Sequence, residues 1–289
     1  MLRSRALVTL LVLLTAFACA KPERSTLERV QATKLLRVGT DATYPPFESV
    51  DPSNRQVIGF DVDLVNKLGE QLGAKVELVV VPFDGIIAGL KTGKYDAIIS
   101  AMTITPERAE QVLFTKPYSA AGQSIAVKVD EAAVVDLASL RAKKIGVQLG
   151  TTGELEAKKV PEAQVVSFDA IGNAFRDLEN GNVAAVIADT PTARIFQREH
   201  GTIKLVGEAL THEEYGIAVR LEDAPLKAAL DRGIDGLPRQ RPSWAASKCS
   251  GASPRASSAS LDRDWGKSRD RFALATAPRL KLSPPSPDG

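Results

Sequence analysis

The stretch "FDGIIAGLKTGKYDAIISAMTITPER", residues 83–108, decides the fold. A short apolar helix ends at a glycine turn, a buried strand (96–100) follows, and the strand opens into threonines, a proline and an arginine. The succession of helix end, glycine and strand returns 88 residues later, in 178–187. Such αβ units look alike in many proteins, so the repeat indicates either ordinary similarity or two lobes of similar build. The corresponding positions are Leu90, Gly93, Ala97, Ile98 and Ile99 in the first unit and Leu178, Gly181, Ala185, Val186 and Ile187 in the second.

Strands and helices alternate on both sides of this stretch. Apolar strands are predicted at 35–40, 75–81 and 143–148, among others, and stretches with one apolar face, typical of helices, lie between them. This repeated order predicts an α/β fold with largely parallel sheets. Ligands of such sheets bind beyond the carboxyl ends of the strands, which here read "SAMT" (100–103) and "ADTP" (188–191).

The composition limits the classes of protein and partner. The chain has 289 residues, of which 44% are hydrophobic, so it can bury a sizeable core in one or two domains. The formal net charge is +2, but basic residues are concentrated in 238–289, which leaves 21–237 mildly acidic. An acidic body argues against nucleic acid as a partner. The cysteines, Cys19 and Cys249, provide neither a disulfide framework nor a Cys-based metal site.

The amino terminus is typical of an export signal. Residues 1–18 begin with arginines, continue into an apolar run too short to span a bilayer, and end in small residues. Cleavage after Ala18 would make Cys19 the first residue, where bacterial lipoproteins carry their lipid. Residues 19–34 are polar and are predicted to form a tether. We therefore expect a periplasmic or cell-surface location, with lipid attachment through Cys19.

The first strand end resembles an anion site. Thr105 is a good N-cap and Pro106 suits the first helical turn, so a helix is predicted to begin there. A helix start offers free N–H groups, and the planar guanidinium of Arg108 suits a carboxylate. Thr103 and the backbone near Ala101 could add neutral hydrogen bonds. The alternative is an ordinary capped helix whose Arg108 pairs with a neighbouring glutamate at the surface.

The second strand end offers the opposite charge. Asp189 follows a buried strand, where its carboxylate could receive an ammonium or simply cap the next helix. Before it, "QLGTTGELEA" (148–157) runs from a strand into a second predicted helix start, with Thr151 and Glu154 spaced as a capping box. A phosphate-binding loop is the rival interpretation, but the GxxxxGK[ST] pattern is absent. An anion site facing a cation site describes the α-carboxylate and α-ammonium of an amino acid.

Two further segments could complete a pocket. Asp41 follows the first strand, and Tyr44 and Phe83 are candidate flat walls, because aromatic faces hold apolar stems and stack on cations. Core packing is the default interpretation for Phe83. Tyr44, beside two prolines in a loop, is harder to explain as a core residue.

Together these motifs resemble the polar amino-acid family (family 3) of extracellular solute-binding proteins, the receptors of ABC importers. "GFDVDLVNKLGEQL" (59–72) is similar to the family signature, and "GTDATYPPFE", "IGVQLGTTG" and "ADTP" follow the family's order and spacing. The resemblance covers about 35–237 and implies a two-lobed, type II periplasmic-binding-protein-like fold with two hinge strands, 124–129 and 215–220. In the implied fold, lobe 1 takes 35–124 plus 217–237, and lobe 2 takes 125–216.

The resemblance also implies roles for the residues. Arg108 would bind the α-carboxylate, Asp189 and a carbonyl near Ser100 would bind the α-ammonium, and Asp41 would lie towards the far end of the ligand side chain. Gln148 would touch that side chain or bridge the lobes. An acidic Asp41 favours a basic amino acid or glutamine. The remaining implied contacts are Thr103, the Ala101 backbone, Thr151 and Thr152 around the carboxylate, with Tyr44 and Phe83 on either side of the side chain.

The implied function is capture of an L-amino acid by lobe closure, with an ABC permease in the membrane as partner, no cofactor or metal and a monomeric state. Two other functions compete. A small-acid dehydratase of the cyclohexadienyl-dehydratase kind shares the fold, but His200 and His212 fall in no catalytic pattern, so no enzymatic activity is expected. A ligand-sensing domain is the third reading, although no signalling domain follows.

The carboxyl terminus departs from the family. The chain follows it through 224–237, whereas 238–289 is rich in Ser, Pro, Arg and Ala and contains no Ile, Val, Tyr or Glu. Such a composition predicts disorder. One hypothesis is that the tail is a frameshift product; reading the other two frames beyond Leu237 tests it, and it is wrong if neither encodes an apolar-periodic helix. The rival is a natural basic tail that meets a partner or membrane surface.

Overall fold

The structure is a computed structural model and describes residues 24–237. The predicted signal peptide, Cys19 and the tail after Leu237 lie outside the described residues. The helices are α1 Thr26–Thr33, α2 Phe60–Leu72, α3 Ile86–Lys91, α4 Pro106–Ala109, α5 Thr152–Lys158, α6 Ile171–Glu179, α7 Thr190–His200 and α8 Ala224–Gly236, with 3-10 turns at Phe83–Gly85 and Ala138–Leu140. The strands are β1 Leu35–Thr40, β2 Thr43–Tyr44, β3 Glu48–Val50, β4 Val57–Ile58, β5 Lys75–Val80, β6 Ala97–Ile98, β7 Leu113–Phe114, β8 Ser119–Ala121, β9 Gln123–Lys128, β10 Lys144–Gln148, β11 Gln164–Phe168, β12 Ala185–Asp189, β13 Ile203–Val206, β14 Glu213–Tyr215 and β15 Ala218–Val219.

Two five-stranded sheets share one plan. The first has the order β5-β1-β6-β15-β7, in which β5, β1 and β6 are parallel and β15 is antiparallel to its neighbours. The second has the order β11-β10-β12-β9-β13, in which β11, β10 and β12 are parallel and β9 is antiparallel. The predicted α/β, two-lobed fold is confirmed.

The internal repeat occupies equivalent places in the two sheets. β6 and β12 each hold the third position, and each follows a helix that ends at a left-handed glycine, Gly93 with φ 74° and Gly181 with φ 75°. Glycine adopts this conformation without the steric cost that other residues incur. Of the two interpretations of the repeat, the structure favours two lobes of similar build.

The segments that connect the sheets differ from the predicted hinge strands. Residues 124–129 fall almost entirely in β9 of the second sheet, and 215–220 contains β15 of the first. The connections run instead through β8 and β14, which pair with each other as a separate antiparallel ribbon. The second predicted segment begins in β14, at Tyr215, but the first lies wholly beyond β8. It was displaced because β9 is longer and more apolar than β8, and an apolar pattern marks burial in a sheet rather than passage between sheets.

The core of the first sheet also corrects the predicted tether. Residues 26–33 form α1, which begins with a capping box between Ser25 and Glu28 and buries Val30 completely. Val30 packs in one apolar cluster with Val65 of α2 and Leu230 of α8. Burying a side chain of this size stabilises the fold by about 1.5–3 kcal/mol. At least half of the segment predicted as a polar tether therefore belongs to the folded body.

Within 24–237, no helix has the length and apolar character needed to cross a lipid bilayer.

Candidate functional site

One pocket gathers all eleven residues that the sequence predicts for the site. The empty space among its lining atoms, counted together with the open mouth, is about 270 Å³. Its lining contains one residue to which the sequence analysis gives no role, Glu48. The full lining is Asp41, Tyr44, Glu48, Phe83, Ser100, Ala101, Thr103, Arg108, Gln148, Thr151, Thr152 and Asp189.

Strand ends bring these side chains together. Asp41 directly follows β1 and Ser100 lies just beyond β6, in the first sheet, whereas Gln148 and Asp189 are the last residues of β10 and β12 in the second. The carboxyl ends of parallel strands meet at one edge of a sheet. Each sheet therefore contributes the polar ends of two neighbouring strands to the pocket.

Arg108 reaches from the first sheet's side to the second. Its Nη1 donates to the carbonyl of Thr103 at 2.7 Å, and its Nη2 donates to the carbonyl of Gly150 at 3.0 Å. Its Cζ lies 5.2 Å from the centre of the Phe83 ring, which is cation–π distance. These contacts direct the guanidinium to the pocket, in contrast to the surface pairing considered as its alternative.

The helix that carries Arg108 begins where predicted but is a single turn. Thr105 caps it, accepting a hydrogen bond from the Arg108 amide at 3.2 Å, but α4 is only four residues long. A single turn has a weak dipole. Positive charge at this end of the pocket therefore comes from the guanidinium rather than from the helix start.

Gly150 permits the contact between the two sides. It has a φ of 78°, and a Cβ there would lie 3.1 Å from the Cα of Asp84. A side chain at this position would be strained and would separate the two segments, so glycine is needed for the carbonyl to reach Arg108.

Asp189 is the buried carboxyl group of the pocket. It stands at the N-cap position of α7, yet its side chain makes no capping hydrogen bond. It accepts a hydrogen bond from Gln123 Nε2 at 2.8 Å and a short one from the Tyr44 hydroxyl. Burial, and secondly the charge of Glu213, raise the pKa of Asp189 to about 7.

The two aromatic residues play different parts from those expected. Tyr44 is buried and packs with the core of the second sheet, including Phe175, and its hydroxyl binds Asp189. Phe83 is only half-buried, and one face is available to the guanidinium of Arg108. Tyr44 therefore lines the pocket from a core position, whereas Phe83 lines it from the edge of the core.

Asp41 and Gln148 form a direct bridge between the sheets. Gln148 Nε2 donates to Asp41 Oδ2 at 2.7 Å and to the carbonyl of Asp169 at 3.0 Å. Asp41 also accepts from the Thr43 hydroxyl at 2.6 Å. Burial raises the pKa of Asp41 even though both hydrogen bonds favour its ionised form. Of the two roles predicted for Gln148, the structure shows the bridge.

A carboxylate on the connecting ribbon orients two site hydroxyls. Glu213 Oε2 accepts from Thr103 Oγ1 at 2.6 Å and from Thr152 Oγ1 at 2.8 Å, and Gln123 Nε2 lies 3.4 Å from the same oxygen. A carboxylate only accepts hydrogen bonds, so both hydroxyl protons point to Glu213. Thr103 therefore directs its proton away from the pocket, and Thr152 Oγ1 also accepts from Gln123 Nε2 at 3.0 Å.

The backbone turn at Ser100 and Ala101 is held from behind the pocket. The Ala101 amide, predicted to bind the ligand, already donates to Asp61 Oδ2 at 2.7 Å. Ser100 Oγ accepts from the Asp41 amide at 3.0 Å and donates to Glu48 Oε1 at 2.7 Å. Ala101 has a φ of 43°, a conformation that costs energy for a non-glycine residue.

The predicted capping box at Thr151 forms in part. Thr151 Oγ1 accepts from the Glu154 amide at 3.3 Å, but the Glu154 carboxylate accepts from the Gly150 amide at 2.8 Å instead of returning to Thr151. Thr151 Oγ1 also donates to the carbonyl of Gln148 at 2.7 Å. The threonine hydroxyl thus fixes the loop and is already engaged.

Sequence reasoning missed the polar residues behind the pocket. Glu48 lies within "GTDATYPPFE" (39–48), and Glu213 immediately follows His212, but both pair with residues far along the chain. Gln123 begins β9, and a polar side chain at the start of an otherwise apolar strand was an available signal. Among residues 24–237, no group of three or more His, Cys, Asp or Glu side chains is arranged to hold a metal ion.

The sequence of the chain matches a known family of proteins. A model of the bacterial extracellular solute-binding proteins, family 3, matches residues 36–242. The "ABC transporter arginine-binding protein 1" of Escherichia coli (strain K12) is 37% identical over 212 residues, which cover 71% of this chain and 86% of that protein.

Solved structures give the same result. An arginine-bound mutant of ArgBP from T. maritima is similar with a TM-score of 0.71 and 39% identity, covering 73% of this chain and 99% of that one. The ancestral amino acid-binding protein AncCDT-1, described as a precursor of cyclohexadienyl dehydratase, has a TM-score of 0.69 and 40% identity, covering 73% of this chain and 92% of that one.

Proposed function

Because the chain belongs to family 3 of the bacterial extracellular solute-binding proteins, we propose that it is the exported receptor of an ABC importer for basic amino acids, with L-arginine as the first candidate. One observation carries the proposal. A guanidinium, Arg108, and a buried carboxyl group, Asp189, line the same pocket from opposite sheets. This is the charge pattern that complements the backbone of a free amino acid.

The α-carboxylate binds to Arg108 in this proposal. Two parallel N–H donors of a guanidinium match the two oxygens of a carboxylate. Both Nη atoms now donate to backbone carbonyls, of Thr103 and Gly150. A carboxylate is a stronger acceptor than a carbonyl, so the incoming ligand competes well for the same donors.

The α-ammonium binds to Asp189 and to the hydroxyl of Thr103. An ammonium has three donors and no acceptor. Asp189 provides a carboxylate, and Thr103 provides lone pairs because Glu213 holds its proton. A molecule without the ammonium leaves Asp189 buried and unpaired, which is costly, so the site discriminates against it.

The balance of charge supports a basic side chain. The carboxyl groups of Asp41, Asp189 and Glu213 outnumber the guanidinium of Arg108 around the pocket. A zwitterion with one additional positive charge offsets this excess better than a neutral amino acid does. Phe83 lines the same pocket and offers a ring face for the side chain.

Closure of the two lobes follows from contacts that cross between them. Arg108 with Gly150, Gln148 with Asp41, and Tyr44 with Asp189 each join one side to the other. The ligand would add contacts to both sides at once and so favour the closed form. We propose in addition an ABC permease as partner, a monomeric receptor, no nucleic-acid partner, and attachment through a lipid on Cys19.

Isothermal titration calorimetry of the full chain tests the ligand class. Arginine, lysine, histidine and glutamine are titrated alongside agmatine, which is arginine without its carboxylate. We expect saturable binding of arginine and none of agmatine at the same concentrations. Absence of binding by every L-amino acid would overturn the proposal, and tighter binding of glutamine than arginine would reassign the ligand.

A dehydratase activity is the second candidate, because a protonated buried acid such as Asp189 could act as a general acid. His200 binds Glu179 at 3.0 Å, and neither histidine lines the pocket. We propose binding without turnover. Incubation with small hydroxy acids, followed by chromatography, should yield no product. Product formed by the wild type and lost in Asp189→Asn would establish the enzyme instead.

A further inference from the structure

Two carboxyl groups meet directly behind the pocket. Glu48 stands at the start of β3 and lines the pocket, and Asp61 lies in the first turn of α2. Both residues are 0% exposed to solvent, and their side chains bind adjacent residues of one turn, Ser100 and Ala101. Two ionised carboxylates cannot share a hydrogen bond, because neither has a proton to donate.

Within residues 24–237, the hydrogen-bond donors around the two carboxyl groups leave one oxygen of each without a partner. Ser100 Oγ donates to Glu48 Oε1 at 2.7 Å, and Asp61 Oδ2 accepts from the Ala101 amide at 2.7 Å and the Tyr118 hydroxyl at 2.8 Å. Glu48 Oε2 and Asp61 Oδ1 are buried and receive no donor from any described residue. A proton held by one of the two carboxyl groups would supply the donor that these oxygens lack.

The surroundings place that proton on Glu48. Asp61 has two donors and lies at the amino-terminal end of a 13-residue helix, where negative charge is stabilised. Glu48 has only Ser100. Burial, and then the charge of Asp61, raise the pKa of Glu48 far above its ordinary value, whereas the pKa of Asp61 rises to about 6. The other titratable groups that face the pair are Asp41 and Tyr118.

We propose that Glu48 and Asp61 are a proton-sharing pair of positioning residues that fixes the Ser100–Ala101 turn of the ligand site. The pair holds the Ser100 hydroxyl and the Ala101 amide, and Ala101 itself has a φ of 43°. A left-handed alanine persists only when its surroundings hold it. The role of the pair in ligand binding rests on the proposed amino-acid site, whereas the shared proton does not depend on that site.

The proton also limits the charge that the ligand meets. Glu48 lines the pocket but is neutral, so it adds no negative charge beside Asp41. The amide of a glutamine reproduces this state, with its oxygen accepting from Ser100 and its NH2 donating to Asp61. Glu48→Gln is therefore the conservative variant, and Glu48→Ala removes both bonds. Asp63→Asn, an exposed carboxyl in the same turn of α2, is the matched control.

Two measurements test the pair. Infrared difference spectroscopy of the ligand-free full chain reports the C=O stretch of a protonated carboxyl group; Glu48→Gln should lose one such band and Asp63→Asn none. Arginine titration should show affinity within about twofold of wild type for Glu48→Gln and about tenfold weaker for Glu48→Ala, which leaves a buried carboxylate oxygen and a hydroxyl unpaired.

Each other result counts against the inference. An unchanged infrared spectrum in Glu48→Gln would show that Glu48 is ionised. An affinity loss in Glu48→Gln equal to that in Glu48→Ala would show that its charge, rather than its hydrogen bonds, is required. If the wild type binds no amino acid, the proposed function fails, while the infrared band still decides on the shared proton.

Discussion

The two charged ends of the pocket are built on different principles. Arg108 is held by carbonyls and an aromatic face, and it remains charged because a guanidinium keeps its proton in proteins even when burial lowers its pKa. Asp189 is buried with a tyrosine, an amide and a second carboxylate as neighbours, and its pKa rises to about 7. One end has a permanent charge, and the other has a charge that its surroundings set.

The difference shows how one pocket can recognise a zwitterion selectively. A permanent cation attracts any carboxylate, so on its own it discriminates little between amino acids and other acids. A buried carboxyl group gains most from a ligand that replaces the water it has lost, which is an ammonium. Selectivity for an amino acid should therefore depend more on the Asp189 end than on the Arg108 end.

The largest effect is expected from Asp189→Ala. Removing the carboxylate leaves the ligand's ammonium unpaired in the pocket and should cost roughly 3 kcal/mol, about a hundredfold in arginine affinity. The measurement is calorimetric titration, with the exposed Asp130→Ala as control. A deaminated arginine analogue should bind Asp189→Ala at least as tightly as it binds the wild type. A loss for this analogue equal to the loss for arginine would mean that Asp189 supports the fold rather than the ammonium.

Below pH 7, the affinity for arginine should change about tenfold per pH unit. Ammonium binding needs ionised Asp189, so arginine affinity should rise as pH increases towards 7 and level off above it. Asp189 should affect the stability of the ligand-free protein in the opposite direction. Its pKa in the folded state is higher than its ordinary value of 3.8, so its contribution to stability is complete below pH 3.8 and is lost as the pH rises through 7. Asp189→Asn should remove the pH dependence of both affinity and stability. If the affinity of this variant still depends on pH, another group is responsible.

A smaller effect is expected from Glu213→Gln. The new amide can donate to Thr103, which would turn that hydroxyl's proton towards the ligand's ammonium. The loss should be about 1 kcal/mol, or roughly fivefold in affinity. Glu214→Gln, one residue along and exposed, is the control in the same titration. Unchanged affinity for Glu213→Gln would show that Thr103 accepts no hydrogen bond from the ligand.

The smallest effect is expected from Phe83→Leu. Leucine preserves an apolar wall but removes the ring face beside Arg108, a contribution of about 0.5–1 kcal/mol. Arginine affinity should fall by about two- to fivefold by the same titration, and unfolding temperature should change little because Phe83 is only half-buried. A loss as large as that of Asp189→Ala would mean that the ring organises the pocket and does not merely line it.

Local sequence rules were sufficient for the residues at strand ends. Asp41 and Asp189 were found because a polar residue after a buried strand must lie at the edge of a parallel sheet. Arg108 was found because Thr105 and Pro106 mark a helix start. The same rules give the α/β class and the position of β6 and β12.

The residues behind the pocket could not be found in this way. Gln123 and Glu213 interact across 90 residues of sequence, and the proton on Glu48 depends on Asp61 being folded against it. Thr103 was expected to donate to a carboxylate, because nothing in the local pattern shows which acceptor takes its proton. The tether was wrong for a related reason: α1 is mostly polar, and Val30 is buried only because α2 and α8 cover it.

The most direct test of the account combines Arg108→Ala with two ligands. Arginine and agmatine differ by the carboxylate that Arg108 is proposed to bind, so the binding free energies of both are measured by calorimetry on the wild type and on Arg108→Ala, with the exposed Arg194→Ala as control. We predict that wild type strongly prefers arginine, and that Arg108→Ala loses this preference by lowering arginine affinity without weakening agmatine further. An undiminished preference for arginine in Arg108→Ala would contradict the account.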